Sequence, residues 1–307
     1  MGFLYILENI RFPALDQLML LVTHLGEETA FLVIALIVFW CVDKYHGYYL
    51  LGVGLLGNLA NQFLKITCRI PRPWVRDPDF TVVEAAKAEA GGYSFPSGHT
   101  QTAVGTLGAI AVTQKGKWIR IACVALALLT GFSRMYLGVH TPEDVLVGLG
   151  MALILVFGLK PLMLGRGKRN IPVAFGVMLV LSVGYLAYVE LYPFPADVDL
   201  ENYTSAVKNA YTFLGCFAGV LLVYTVNEKK LRFTTEAVWW AQILKAVFGL
   251  AAVLLVKEGL RAPLEAVFAG HMIARAARYF LIVVVAGIVW PLSFPWFKKL
   301  GQKKEKV

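Results

Sequence analysis

Apolar runs recur along the whole chain at about the length that crosses a bilayer. They fall at 28–42, 48–66, 99–113, 119–138, 143–164, 171–190, 208–226, 236–256 and 274–292, each close to the ~20 residues that cover the hydrocarbon thickness. The pattern predicts an all-α polytopic membrane protein with about nine transmembrane helices. The first run extends backward through residues 18–25. Ahead of it, Phe3, Leu4, Ile6, Leu7, Ile10 and Phe12 are interrupted by Glu8, Asn9 and Arg11. That amphipathic pattern predicts an interfacial segment over residues 1–26. An odd number of spans places the two termini on opposite sides of the membrane.

Composition agrees with the pattern. The chain is 58% hydrophobic and 16% charged, where soluble domains run near a quarter charged. A net charge of +9 raises a nucleic-acid partner, but its placement argues against one. Asp43-Lys44-Tyr45-His46, Gln114-Lys115-Gly116-Lys117, Gly165-Arg166-Gly167-Lys168-Arg169, Asn227-Glu228-Lys229-Lys230-Leu231-Arg232 and the tail over 298–306 occupy alternate connections. Short basic connections are cytoplasmic, whereas Asp197, Asp199 and Glu201 lie in the opposite set. The N-terminus is therefore expected outside and the C-terminus in the cytoplasm. The four cysteines, Cys41, Cys68, Cys123 and Cys216, form no CxxC pair and read as buried thiols. Glu8 precedes the first arginine and no cleavage-site pattern follows, so a removable signal peptide is not expected. Short loops and the lack of a eukaryotic-style retention signal fit a bacterial inner membrane.

Three polar islands break the apolar pattern, and the alternation puts all of them on the outer side. They read Lys65-x6-Arg72-Pro73, Pro96-Ser97-Gly98-His99 and Ser133-Arg134-x5-His140-x3-Asp144. Lys65, Arg69, Arg72, Arg76 and Arg134 are outer cations placed against the positive-inside bias. Charges at such positions mark a functional site; gripping lipid headgroups would not account for the histidines among them.

Taken together, the islands resemble the three-part signature of the type 2 phosphatidic acid phosphatase superfamily. That superfamily includes lipid phosphate phosphatases, undecaprenyl diphosphate phosphatases, glucose-6-phosphatase and vanadium haloperoxidases. The resemblance runs from about residue 45 to 165. It implies a helical-bundle catalytic core over 27–170, with 171–307 as a transmembrane extension. The chemistry of the residues agrees. Phosphoryl transfer needs its nonbridging oxygens neutralised and held. The planar forks of Arg72 and Arg134 grip two oxygens at once, and Lys65 adds a point charge. Asn58 and Asn61 share a helical face with Lys65. Ser97 and Gly98 open a helix, where backbone N–H groups and the helix dipole favour an anion, and the serine hydroxyl adds a donor.

Thr141 is a plausible N-cap, Pro142 fits the first helical position and Asp144 the third. Asp144 then either caps the helix or reaches back to His140, fixing its tautomer and leaving the other nitrogen to attack phosphorus. The resemblance implies the same roles: His140 as nucleophile, His99 as the acid that protonates the leaving oxygen and later activates water. No metal cluster or cofactor is indicated, and metal-independent catalysis is expected. His24, His46 and His271 read as polar anchors, Gly215-x3-Gly219 as a close helix contact, and Trp239, Trp240, Trp290 and Trp296 as interfacial belts. Lys245, inside a span, either snorkels or faces a pocket. The stretch 81–90, with Glu84, Lys87 and Glu89, is helix-prone and is either a lid beside the site or a connector.

The expected partners are membrane lipids and a lipid phosphate or diphosphate substrate. A sugar phosphate, phosphotransfer to another hydroxyl, and a non-enzymatic phosphate- or lipid-binding transporter remain the alternatives. Oligomeric state leaves no trace in the sequence. The orientation has a direct check: on a Cys-free background, one cysteine engineered within 82–90 should react with an impermeant thiol reagent from outside intact cells. Reaction from the cytoplasmic side alone would reverse the topology.

Overall fold

The computed structural model describes residues 1–165 and 170–300. The basic residues at 166–169 and the tail beyond 300, both used above for orientation, lie outside the described residues. Among those described, every regular element is a helix and there is no strand. In order they are α1 (Gly2–Asn9), α2 (Pro13–Thr23), α3 (Glu28–Ile37), α4 (Lys44–Cys68), α5 (Pro73–Arg76), α6 (Glu84–Glu89), α7 (Gly98–Thr113) and α8 (Lys117–Tyr136). There follow α9 (Pro142–Leu164), α10 (Ile171–Leu191), α11 (Leu200–Val226), α12 (Trp239–Gly259), α13 (Arg261–Val267), α14 (Ile273–Val284) and α15 (Phe294–Lys299).

Six helical stretches are long and apolar enough to cross a membrane, and a seventh results if Pro13–Gly26 and Glu28–Val42, bent by 53°, form one broken span. The chain is thus an integral membrane protein, but the expected count of about nine is not reached. The two predicted spans that fall short are α4 and α7. Both carry the polar islands: α4 bears Asn58, Asn61, Gln62 and Lys65, and α7 is only 16 residues long and bears Thr100, Gln101, Thr102 and Thr106. Those α7 side chains are buried, as are Asn58 and Asn61, so protein rather than lipid surrounds them. Hydropathy falls wherever a helix turns polar groups inward.

The chain divides into two compact units: Met1–Leu32, Leu50–Pro161 and Tyr192–Val207 form one, and Val33–Tyr49, Leu162–Leu191 and Lys208–Val307 the other. In the first, α7 is the axis. It forms an antiparallel hairpin with α8, with Val104, Leu107 and Ala111 packed on Cys123 and Ala127. On another side α9 runs alongside it, and Lys160 Nζ donates to the Val112 carbonyl at 2.7 Å, meeting the α7 C-terminus with a cation. Glycine sets this approach: a methyl group at Gly148 would sit 2.7 Å from the Ser97 carbonyl oxygen.

The amphipathic N-terminal segment is held by protein. Tyr5 Oη donates to Asp77 at 2.9 Å, Glu8 accepts from Thr81, and Arg11 Nε donates to the Tyr136 carbonyl at 2.8 Å. The polar interruptions in its pattern therefore tie it to the 77–83 loop and the end of α8.

In the second unit, Phe39, Tyr48, Phe233 and Phe294 form an edge-to-face aromatic core. Gly215 and Gly219 lie against α14, where a methyl at Gly215 would meet the Ala276 carbonyl oxygen at 2.2 Å, so the Gly-x3-Gly pair does set a close helix contact. Lys245 is fully buried; its Nζ donates to the Thr235 carbonyl at 2.9 Å and lies 4.6 Å from the Phe294 ring centre.

Replacing Gly148 by Ala should force α9 away from α7 and destabilise the protein by about 1–3 kcal/mol. Gly150→Ala, where a methyl meets nothing within 4 Å, should be neutral or slightly stabilising through helix propensity. Thermal melts of the two purified variants against wild type check the ordering.

Candidate active site

The site lies wholly within the first unit. A cavity of about 300 Å³ is lined by Lys65, Arg72, Gly98, His99, Arg134 and His140, with Asn58, Asn61, Glu27 and Glu28 among its further walls. Six of the eight expected residues therefore converge on one space. Ser97 and Asp144 stand behind it.

Asp144 is the centre of the second rank. Its Oδ2 accepts from the Thr141 backbone N–H at 2.9 Å, from Ser94 Oγ at 2.6 Å, and lies 3.3 Å from His140 Nδ1. In return, Thr141 Oγ1 lies 3.4 Å from the Asp144 backbone nitrogen. This reciprocal exchange is a capping box at the start of α9. The two readings of Asp144 are therefore both realised: one carboxylate oxygen caps the helix and orients the imidazole. With Nδ1–H donating to Asp144, the lone pair resides on Nε2. Arg72 Nη1 lies 3.0 Å from that nitrogen and donates to it.

Arg72 precedes Pro73 and adopts the extended conformation that a pre-proline residue favours (φ −64°, ψ 155°). Its guanidinium also donates to the carbonyls of Gly92 (Nε, 2.9 Å), Gly91 (Nη2, 2.7 Å) and Val139 (Nη1, 2.9 Å). It thereby ties the 91–92 loop to the loop that carries His140. Burial pushes Arg72 down to about 10, with Asp144 opposing the shift, so it remains a cation near neutrality. Burial, followed by the charges of Arg72, Lys65 and Arg134, pushes His140 well below the ordinary imidazole range, so its ring is neutral.

Lys65, at the end of α4, donates to the Tyr93 carbonyl. Arg134 is fully buried, and its Nη1 donates to Thr23 Oγ1 at 2.7 Å. His99 opens α7, and its Nε2 is buried without a hydrogen-bond partner. The Gly26 turn passes so close that a methyl there would lie 2.6 Å from the His99 carbonyl oxygen. The 81–90 stretch contains α6, and the residues after it, Ala90 and Gly91, form a wall of the cavity.

Ser97 departs from its expected geometry. Its backbone N–H donates to the Asp144 carbonyl at 3.0 Å, and its hydroxyl caps α7, accepting from Thr100 N at 3.4 Å and lying 2.9 Å from Thr100 Oγ1. Of the Ser97–Gly98 pair, only Gly98 lines the cavity. The sequence reading also gave no role to Ser94, Thr23, Gly26 or Glu27. Ser94 lies three residues before Ser97, and that proximity was its only signal. The others belong to a segment without a motif.

No cluster of three or more His, Cys, Asp or Glu side chains suited to a metal occurs among the described residues. The fold and this cavity define an integral membrane protein with a histidine site ringed by buried cations. Residues 46–168 match the PAP2 superfamily, and residues 211–304 match the PAP2 superfamily phosphatase transmembrane extension. The chain is 32% identical to phosphatidylglycerophosphatase B of Bacillus subtilis over 166 residues, covering 49% of this chain and 76% of that protein. It is 34% identical to undecaprenyl-diphosphatase BcrC of the same organism over 147 residues, 47% of this chain and 72% of that protein. A shorter match, 41% identical over 56 residues, joins 18% of this chain to 27% of an undecaprenyl-diphosphatase of Sulfolobus acidocaldarius. No solved structure matches the chain. The chain belongs to the PAP2 superfamily.

Ser94→Ala removes a donor from the carboxylate that holds His140 and should lower kcat for phosphate release by about tenfold or more. Because Asp144 then directs more of its charge to the imidazolium form, the acid limb of kcat/KM should move to higher pH. Ser94→Thr, which keeps the hydroxyl, should recover most of both. Rate measurements across pH on the three proteins check this.

Proposed function

We propose that the protein is a membrane phosphatase that hydrolyses a lipid phosphate or diphosphate at the extracytoplasmic face through a phosphohistidine. The observation that carries this reading is the chain Asp144–His140–Arg72, facing the unpartnered His99 Nε2 from the same cavity. Binding an anion calls only for cations; a neutral imidazole with an oriented lone pair supplies a nucleophile as well.

The reaction then runs in two steps. The substrate's terminal phosphoryl group is held by Lys65, Arg72 and Arg134, with the Gly98 amide at the α7 N-terminus as a further donor. Arg72 Nη1 transfers its hydrogen bond from His140 Nε2 to a nonbridging oxygen, and the freed lone pair attacks phosphorus. Burial, followed by the charges of Arg134, Arg72 and Lys65, pushes His99 of the free protein down to about 2. The bound phosphate dianion offsets those cations and lets His99 take up a proton with the substrate. The bond to the leaving oxygen breaks as His99 delivers that proton to it. Asp144 stabilises the positive ring of the phosphohistidine through Nδ1–H. In the second step His99 takes a proton from water, the hydroxide attacks phosphorus, and the N–P bond breaks to release phosphate and restore His140. Ser97 and Ser94 act behind this first rank, on α7 and on Asp144. No step requires a metal ion, because the cations of the cavity supply the neutralising charge.

The relatives named phosphatidylglycerophosphatase and undecaprenyl-diphosphatase support a lipid substrate over a sugar phosphate. In this reading the catalytic core expected over 27–170 also draws on the N-terminal segment, through Thr23 and Gly26, and 171–307 is an extension. The N-terminus lies outside a bacterial cell membrane and the C-terminus in the cytoplasm.

Purified His140→Ala should lose phosphate release by roughly 10³–10⁴-fold while eluting as wild type from size exclusion; turnover near wild type would overturn the reading. Activity should survive a chelator and be inhibited by vanadate, whereas a required divalent ion would exclude the mechanism drawn here. A phosphate-release screen over lipid phosphates, isoprenoid diphosphates and glucose 6-phosphate should favour the lipids.

A further inference from the structure

The second unit holds a cavity of its own, of about 500 Å³, within the range of about 300–1,000 Å³ that small-ligand sites occupy. Its lining includes five Lys or Arg side chains, Lys208, Lys257, Arg261, Arg275 and Arg278, against the carboxylates of Glu258 and Glu265. None of them belongs to the motifs of the catalytic site.

The cations are brought together by helix packing. Arg275 and Arg278 are one turn apart at the start of α14, and both lie against the Tyr279 ring, at 5.3 and 5.5 Å from its centre. Thr212 of α11 donates to the Lys208 carbonyl at 2.9 Å and accepts from Arg275 Nε at 2.7 Å, fixing that guanidinium at the helix junction. The two carboxylates are engaged by Lys257 and Arg261, at 3.6 and 3.4 Å. Arg278 Nε is buried with no hydrogen-bond partner. A guanidinium N–H left without an acceptor near the start of a membrane-crossing helix is costly unless a ligand supplies one.

We propose that this cavity is a binding site for a phosphate-bearing anion, with the Arg275–Arg278 pair as its centre. Guanidinium forks match phosphate oxygens in pairs, and basic pockets between membrane helices accept phospholipid headgroups. The ligand's source is either the headgroup of an anionic lipid or free phosphate.

The test compares the full-length protein in detergent with Arg278→Gln and with the exposed-residue double variant Lys257→Gln/Arg261→Gln. The probes are dihexanoyl phosphatidylglycerol and inorganic phosphate, each followed by equilibrium dialysis. Both variants should keep phosphate-release activity, so any binding they lose belongs to the second cavity. Arg278→Gln should weaken that binding by about tenfold, the loss of one charge-assisted contact, and the double variant should weaken it in the same direction. Loss with phosphatidylglycerol alone assigns a lipid headgroup; loss with both probes assigns free phosphate as a ligand. Wild-type affinity for both probes in Arg278→Gln overturns the proposal. Should that variant fail to fold, wild-type affinity in the double variant does the same.

Discussion

A single carboxylate oxygen holds the catalytic half of this molecule in register. Asp144 is 2% exposed, and a buried charge is tolerated only when hydrogen bonds and opposite charges surround it. Oδ2 meets that demand with a backbone amide, a serine hydroxyl and an imidazole, while Asp144 also opposes the burial of Arg72. The backbone of Asp144 takes part too, since its carbonyl accepts the Ser97 amide. The starts of α9 and α7 are thereby locked to each other at the residue that aims His140. Lys65 and Arg134 are anchored separately, to the Tyr93 carbonyl and to Thr23. The three cations are thus each set in place by protein groups, and in the proposed reaction the bond between Arg72 and His140 is the one that must be exchanged.

Much of this was legible in the sequence because it rests on spacing. The Thr141-Pro142-x-Asp144 run fixes a helix start whatever surrounds it, and the placement of His140 relative to Asp144 follows. Asn58, Asn61 and Lys65 share a face because helical periodicity puts them there. What escaped the sequence depends on through-space partners. Nothing in the order of residues says that the Ser97 amide faces the Asp144 carbonyl, or that Arg72 reaches the carbonyls of Gly91, Gly92 and Val139 as well as His140. Thr23 meets Arg134 across a separation of 111 residues. The count of about nine is not confirmed for a related reason: length and hydropathy single out helices that face lipid, and α4 and α7 turn polar groups toward protein.

The second unit solves buried polarity differently. Lys245 could have snorkelled, but it is enclosed, with a carbonyl acceptor and an aromatic face as its partners. Gly215 and Gly219 bring α14 near enough to α11 for Arg275 to reach Thr212. Small residues there shape the electrostatics as well as the packing, because they determine where the cations of α14 can stand.

The composition of α7 bears on how the chain enters the bilayer. A 16-residue helix with Thr100, Gln101, Thr102 and Thr106 in its first turns partitions poorly into hydrocarbon by itself. The more apolar α8 follows after only Gln114, Lys115 and Gly116, so the two are best inserted as a hairpin, with α7 carried in by its neighbour. The polar face of α7 is received by α4, which precedes it in the chain. The Gln101 side chain lies against Gly57 and Thr102 Oγ1 donates to Asn58 at 3.3 Å, so the entry of α7 leans on a helix already delivered to the membrane.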